Sequence, residues 1–207
     1  MNFYVRTTGE RIFNYSPLKY KILVDNNHCA GEHFLESLKL IKDEDAVLME
    51  DDLQLCQNFE QEIEKIIEKY PNHIINFFSS PAQYFSSHFS NSFSFNQCTY
   101  YPKGILNKII PLVEELIKNG NKETYCWYMD CAIKRLGIPI YNYRPTLVQH
   151  IDKKSLIANS RIVKWQTLYY KDYLDKIGIT IEEAIYPENQ KKLEMLLQQD
   201  NIRWGIQ

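Results

Sequence analysis

The sequence predicts an α/β fold in which helices cover a largely parallel sheet. Short apolar runs alternate with segments of helical periodicity through the first two thirds of the 207-residue chain. Such alternation is typical of parallel strands joined by crossover helices. Apolar residues make up 44% of the chain and charged residues 24%, the balance of an ordinary globular protein, and the length suits one domain with an appendage.

The first part of the chain contains four predicted strands and two predicted helices. Helical spacing of apolar residues predicts a helix over 32–42, with Gly31 just outside it. A second helix is predicted over 58–71, where Pro71 stops it. The strands are predicted from short apolar runs at 2–6, 21–25, 46–49 and 73–78.

The segment 79–97 interrupts this alternation. It is rich in Ser, Asn and Phe, has few charges and has no helical period. The composition fits either a mobile loop or a pair of irregular strands. Since long structureless segments in a compact domain are usually functional or flexible, it is also a candidate lid over a binding site.

The remainder returns to the alternating pattern. A β-like run at 98–104 precedes a predicted helix over 105–120, in which Pro111 predicts a kink or a division into two short helices. A further helix is predicted over 123–137. Strands are then predicted at 138–143 and 146–151. One or two terminal helices follow, with Thr180 and Glu183 in the form of a capping box.

Bulk properties exclude several classes of protein. The net charge of −2 gives no global basic field for nucleic acid or anionic lipid. No apolar run is long enough for a membrane span or a signal peptide. The five cysteines form no C-x-x-C pair and are expected to be reduced thiols. These features predict a cytoplasmic protein with no obligate protein partner. Neither a phosphate-binding P-loop nor a G-x-G-x-x-G dinucleotide fingerprint occurs.

Three adjacent carboxylates follow the predicted strand 46–49 directly. In an extended segment Glu50 and Asp52 point to one side and Asp51 to the other. Two oxygen ligands on one side suit a hard divalent cation that also touches phosphate, and ligands of open α/β sheets bind beyond the carboxyl ends of strands. The alternatives are an acidic loop facing water or a helix N-terminus that gains from negative charge.

Two later residues bear on this choice. Asp130 lies in an otherwise apolar and aromatic predicted helix, where its ordinary role would be an ion pair with Lys134 four residues on. His150 ends the β-like segment TLVQH, where its ordinary role would be that of a hydrogen-bonded core histidine.

The chain resembles a glycosyltransferase of the GT-A type. The resemblance rests on strand–LMEDD, on a mid-chain Asp in a helix, and on IPIYNYRPTLVQHIDKKSL. It is similar to small bacterial and phage-encoded enzymes that use nucleotide sugars. It covers about residues 1–157 and implies a single Rossmann-like α/β/α sandwich that binds the nucleotide sugar. Residues 158–207 would be a C-terminal helical extension packed on the same domain.

The resemblance implies a divalent metal site and a catalytic base. Glu50 and Asp52 would be the D-x-D-like ligands of Mn²⁺ or Mg²⁺, although the first position is Glu rather than Asp. His150 would complete the metal shell. Asp130 would be the base that accepts the proton of the acceptor hydroxyl.

The resemblance also implies contacts with the donor, a UDP-linked sugar. Arg6, Thr7 and Thr8 would hold the nucleotide, and Asp25 would contact the uracil or ribose. Asp51 would lie near the ribose or the donor sugar.

The function implied is metal-dependent transfer of a sugar to a hydroxyl acceptor, either a surface glycan or a hydroxylated base in phage DNA. A phage-encoded enzyme would act in the host cytoplasm. DNA would suit a basic groove formed by Lys153, Lys154, Arg161 and Lys164. Two alternatives stay open. One is a catalytically inactive binding module of the same fold. The other is a metal-dependent nucleotidyltransferase or phosphatase, since these enzymes also use clustered carboxylates.

Overall fold

The computed structural model describes residues 1–9, 19–27, 29–78, 87–93, 97–120, 125–151 and 166–204. Over these residues the chain forms nine strands: β1 (Asn2–Thr7), β2 (Tyr20–Val24), β3 (Ala46–Glu50), β4 (Leu53–Leu55), β5 (Ile74–Asn76), β6 (His88–Ser90), β7 (Cys98–Tyr101), β8 (Ile140–Asn142) and β9 (Val148–His150). The same residues form six α-helices: α1 (Ala30–Ile41), α2 (Phe59–Lys69), α3 (Leu106–Lys118), α4 (Tyr125–Leu136), α5 (Lys171–Ile177) and α6 (Pro187–Trp204).

Seven of the strands form a mixed sheet in the order β2-β1-β3-β7-β5-β8-β6. β1 pairs in parallel with β2 and β3, and β5 pairs in parallel with β8. β7 and β6 run antiparallel to their neighbours. The predicted α/β class is confirmed, but the sheet is mixed rather than largely parallel, since three of its six strand pairings are antiparallel.

Helices cover both faces of the sheet. Strand alternation sends Leu48 to one face and Met49 to the other. The face of Leu48 packs against α1, α3 and α4, and the face of Met49 packs against α2, α5 and α6. Leu174 and Leu193 share a core with Met49, so α5 and α6 pack on the same core as the sheet. The predicted domain boundary at 157/158 lies outside the described residues.

Three local features differ from the predictions. α1 begins at Ala30, so Gly31 lies inside it. α3 is one helix through Pro111, with its apolar face buried on both sides of the proline, so the predicted division into two short helices is wrong. The alternative prediction, a kink at Pro111, stays a prediction. The short strand β4 was not predicted, since Leu53–Leu55 is too brief to show a period.

The C-terminal capping box is confirmed. The backbone N–H of Thr180 donates to the Glu183 carboxylate at 2.8 Å, and the N–H of Glu183 donates to the Thr180 hydroxyl at 3.3 Å. The box starts a single 3-10 turn over Glu183–Ile185, and the long helix begins afterwards at Pro187. None of the helices in the described ranges is long and apolar enough to cross a membrane.

Candidate metal centre at the end of β3

A separate two-stranded sheet brings His150 to the acidic segment. β4 and β9 pair antiparallel with Leu53 opposite His150. The carbonyl of Asp52 accepts a hydrogen bond from the N–H of Ile151 at 2.8 Å. As a result, His150 Nε2 lies 3.3 Å from Asp52 Oδ2, although 97 residues separate them in the chain.

Glu50, Asp52 and His150 form one cluster of metal-binding side chains. One ligand atom from each lies within 4.8 Å of the others. In the part of the chain that the structure describes, this is the one group of three or more His, Cys, Asp or Glu side chains with that geometry. The side chains of Glu50 and Asp52 are 17% and 18% exposed and that of His150 is 10% exposed, so the cluster lies at the edge of the core.

This cluster fits a divalent cation. Octahedral ligands bonded at about 2.1 Å lie about 3.0 Å apart when adjacent and about 4.2 Å apart when opposite. The 3.3 Å contact between Asp52 and His150 is close to the adjacent spacing. Carboxylates suit Mg²⁺ and Mn²⁺, whereas imidazole suits transition metals, so two carboxylates with one imidazole favour Mn²⁺ over Mg²⁺.

Arg6 supplies a positive charge beside the cluster. Its guanidinium nitrogen lies 3.7 Å from a Glu50 oxygen, and its side chain is 6% exposed. The guanidinium also lies 5.1 Å above the centre of the Phe34 ring. The contact pairs a buried cation with the Glu50 carboxylate and helps to fix its orientation.

Asp51 points away from Glu50 and is held by β1. The Thr7 hydroxyl donates to an Asp51 oxygen and accepts the N–H of Gly9 at 2.9 Å. Asp51 and Thr7 are both buried. The predicted alternation of the three carboxylates is therefore seen in the fold: Asp51 binds Thr7, while Glu50 and Asp52 meet His150.

The remaining residues predicted to hold the nucleotide lie at the same edge of the sheet. The N–H of Asp25 donates to the Thr7 carbonyl at 2.7 Å, and an Asp25 oxygen accepts the N–H of Asn27 at 3.1 Å. The Thr8 hydroxyl oxygen is buried, with no hydrogen-bond partner in the structure. The structure thus groups Arg6, Thr7, Thr8, Asp25 and Asp51 around the carboxyl ends of β1 and β2. Their contacts with a nucleotide stay a prediction.

Asp130 makes a different set of contacts. One of its oxygens accepts the N–H of Phe93 at 2.8 Å and the hydroxyl of Ser92 at 3.2 Å. The other lies 2.6 Å from Lys134 Nζ, which is the ion pair that helical spacing allows. Asp130 is not a member of the Glu50–Asp52–His150 cluster. These contacts give it an anchoring role for the segment before β7, and its role as a base stays a prediction.

Two residues of this region were not singled out from the sequence. His33 lies in the first turn of α1, where burial, and secondly the charge of Arg6, lowers its pKa. Gln97 lies opposite Glu50, whose N–H donates to the Gln97 carbonyl at 2.9 Å. Their placement depends on the pairing of β1, β3 and β7, for which the local sequence carries no signal.

The lid and the basic groove cannot be placed. Residues 79–86 and 94–96 of the predicted lid lie outside the described residues, and β6 is the one strand within its described part. The basic residues Lys153, Lys154, Arg161 and Lys164 also lie outside the described residues.

Comparison with known proteins identifies no family. No protein-family model matches the chain, and no curated protein matches it significantly. The geometry at the end of β3 is therefore the basis for a functional conclusion.

Proposed function

We propose that the protein is a GT-A-type, metal-dependent glycosyltransferase that moves a sugar from a nucleotide-sugar donor, UDP-linked in the first instance, to a hydroxyl acceptor. The observation that supports this best is the cluster of Glu50, Asp52 and His150, whose ligand atoms lie within 4.8 Å of one another. The sequence resemblance implied these same three residues as metal ligands. The fold brings them together through a strand pairing that the resemblance did not specify.

The position of the cluster supports a nucleotide diphosphate as the ligand. Glu50 ends β3, beside the ends of β1 and β2, at the edge where open α/β sheets bind their ligands. Thr7 and Asp25 lie at this same edge, next to Asp51. A nucleotide lying across β1 and β2 would place its phosphates toward Glu50 and Asp52.

The chemistry requires stabilisation of the leaving nucleoside diphosphate. A divalent cation, when bound, acts as a Lewis acid toward the charge that develops as the sugar–phosphate bond breaks. Glu50, Asp52 and His150 would hold it. Arg6 holds Glu50 in position, and the bond from Thr7 holds Asp51 apart from the two ligand carboxylates.

The acceptor hydroxyl must also lose a proton. Asp130 is the base implied by the resemblance. In the described residues Asp130 is bonded to Ser92, Phe93 and Lys134, so its approach to an acceptor hydroxyl stays a prediction. The acceptor itself is a surface glycan or a hydroxylated base in DNA, and a transfer assay with both acceptors separates these.

Thermal unfolding with UDP and Mn²⁺ tests the proposal. A ligand that binds only the folded protein raises the free energy of unfolding by RT ln(1 + [L]/Kd). We expect UDP plus Mn²⁺ to raise the melting temperature, UDP alone to raise it much less, and Asp52→Asn to remove the metal-dependent part.

The matched control is Asp130→Asn, which removes a carboxylate outside the cluster and is expected to retain the shift. If no nucleoside diphosphate stabilises the wild-type protein in a metal-dependent way, the proposal is wrong. A shift with nucleoside triphosphates alone would favour a nucleotidyltransferase. Binding of UDP-sugars with neither hydrolysis nor transfer would favour an inactive binding module.

A further inference from the structure

Gln97 has a buried side-chain carboxamide and lies next to the Glu50–Asp52–His150 cluster. It directly precedes β7, in register with Glu50, because Met49 pairs with Cys98 and the Glu50 N–H donates to the Gln97 carbonyl at 2.9 Å. Residues opposite each other in an antiparallel pair place their side chains on the same face of the sheet. Gln97 therefore shares with Glu50 the face on which the cluster is built.

The side-chain oxygen of Gln97 has no hydrogen-bond partner among the residues that the structure describes. Gln97 is 9% exposed, and its Oε1 is fully buried. Buried side-chain oxygens in folded proteins are nearly always bonded, so an unbonded one beside a binding site indicates a group that arrives with the ligand.

A second buried glutamine, Gln149, has hydrogen-bond partners for both ends of its side-chain amide. Gln149 is fully buried, its amide nitrogen donates to the Thr167 carbonyl at 2.7 Å, and its oxygen accepts the Thr167 N–H at 2.9 Å. Both ends of Gln149 are thus bonded to backbone. Gln97 differs because its oxygen is buried at the site edge with no such partner.

We propose that Gln97 binds a hydroxyl of the transferred sugar and so selects the donor. This inference rests on the proposed function. Of the parts of a nucleotide sugar, the diphosphate has no proton to donate to Oε1. The uracil and ribose can donate, but the proposed function places them by Thr7 and Asp25 at the ends of β1 and β2. A hydroxyl of the transferred sugar can donate to the oxygen and accept from the amide nitrogen. A metal ion would satisfy the oxygen alone, and the cluster already supplies three ligands.

Calorimetric titration in the presence of Mn²⁺ tests this assignment. The ligands are UDP, UDP-glucose, UDP-galactose and their 2-acetamido counterparts, and the proteins are the wild type and Gln97→Met, which keeps the volume and removes both polar ends. We expect at least one UDP-sugar to bind the wild type more tightly than UDP does. Gln97→Met is expected to weaken that donor at least tenfold and to leave UDP affinity within twofold.

Thr99→Val is the matched control. Thr99 lies two residues further along β7, with its side chain on the same face as that of Gln97, and its buried hydroxyl also has no hydrogen-bond partner among the described residues. It lies opposite Leu48 within the sheet and not opposite Glu50. Thr99→Val therefore tests whether loss of any unbonded polar group on this strand alters binding, and we expect both affinities to stay within twofold.

Donors that lack one hydroxyl provide a test that does not depend on folding of the variant. In the wild type, one deoxy or deoxyfluoro UDP-sugar is expected to bind at least tenfold more weakly than the parent UDP-sugar. Gln97→Met is expected to show no further loss with that compound.

Equal binding of every deoxygenated donor by the wild type would overturn the assignment. So would an unchanged donor affinity in Gln97→Met, or a parallel loss of UDP affinity, which would place Gln97 at the ribose or the metal. If the wild type binds neither UDP nor any UDP-sugar with Mn²⁺, the proposed function itself fails, which is a distinct result.

Discussion

Two acidic groups look similar in the sequence, because each lies next to apolar residues. One is the acidic cluster at the end of β3, and the other is Asp130 on α4. The fold gives them different surroundings. Asp130 is bonded to Phe93 and Lys134 through its two oxygens, both near in space because of helix and loop packing. Glu50 and Asp52 instead converge with His150.

The difference shows that the partners of a carboxylate, more than its sequence context, indicate its role. Protein donors neutralise and orient Asp130, so its carboxylate is satisfied without a ligand. In the cluster, two carboxylates meet an imidazole beside one buried cation, Arg6. Such convergence of negative charge is costly in a partly buried place unless a cation offsets it.

The largest effect on stability is expected at the residue that precedes His150. Gln149→Leu leaves the N–H and carbonyl of Thr167 buried without their side-chain partner, which costs about 3 kcal/mol. Urea denaturation measures this loss. Mn²⁺ affinity is expected to fall as well, because β9 carries His150. If Mn²⁺ affinity is unchanged while the free energy of unfolding falls, the position of His150 does not depend on this anchor.

A smaller effect is expected at Asp130. Asp130→Asn weakens the bonds to Phe93 and Ser92 and removes the ion pair with Lys134, at a cost of about 1 kcal/mol. UDP binding is expected to be retained. Turnover that falls by orders of magnitude would establish the base role implied by the resemblance, whereas unchanged turnover would leave the anchoring role alone.

Lys134→Met is the control for that experiment. It removes the ion pair but keeps the Asp130 carboxylate, and since Lys134 is half exposed the loss of stability is expected to be smaller than that of Asp130→Asn. A larger loss in the control would show that leaving the Asp130 carboxylate without its cation costs more than weakening its bonds to Ser92 and Phe93.

Much of the fold follows from local sequence. The apolar run before Glu50 and the helical spacing of Phe34, Leu38 and Ile41 identify a strand and a helix, because side-chain periodicity records which face is buried. The reversal of β7 is not visible in this way. It is a property of the pairing of β7 with β3 and β5, which are distant from it in the sequence.

The candidate site likewise combines features that local sequence predicts with features that depend on the pairing of distant strands. Strand alternation predicted that Asp51 would separate from Glu50 and Asp52, and the contacts agree, although Asp51 and Asp52 form the bend between β3 and β4. The meeting of His150 with Asp52 requires the β4–β9 pairing, and the chain segments involved are too short to indicate it. Gln97 was missed for the same reason, since its position opposite Glu50 is a matter of register.

Direct measurement of Mn²⁺ binding tests the central claim most directly. Electron paramagnetic resonance counts free Mn²⁺ as protein is added in the presence of UDP, for the wild type, Asp52→Asn and His150→Ala. We expect one bound Mn²⁺ per chain in the wild type and at least a hundredfold weaker binding in both variants, with circular dichroism unchanged. Wild-type affinity in both folded variants would contradict a metal centre formed by Glu50, Asp52 and His150.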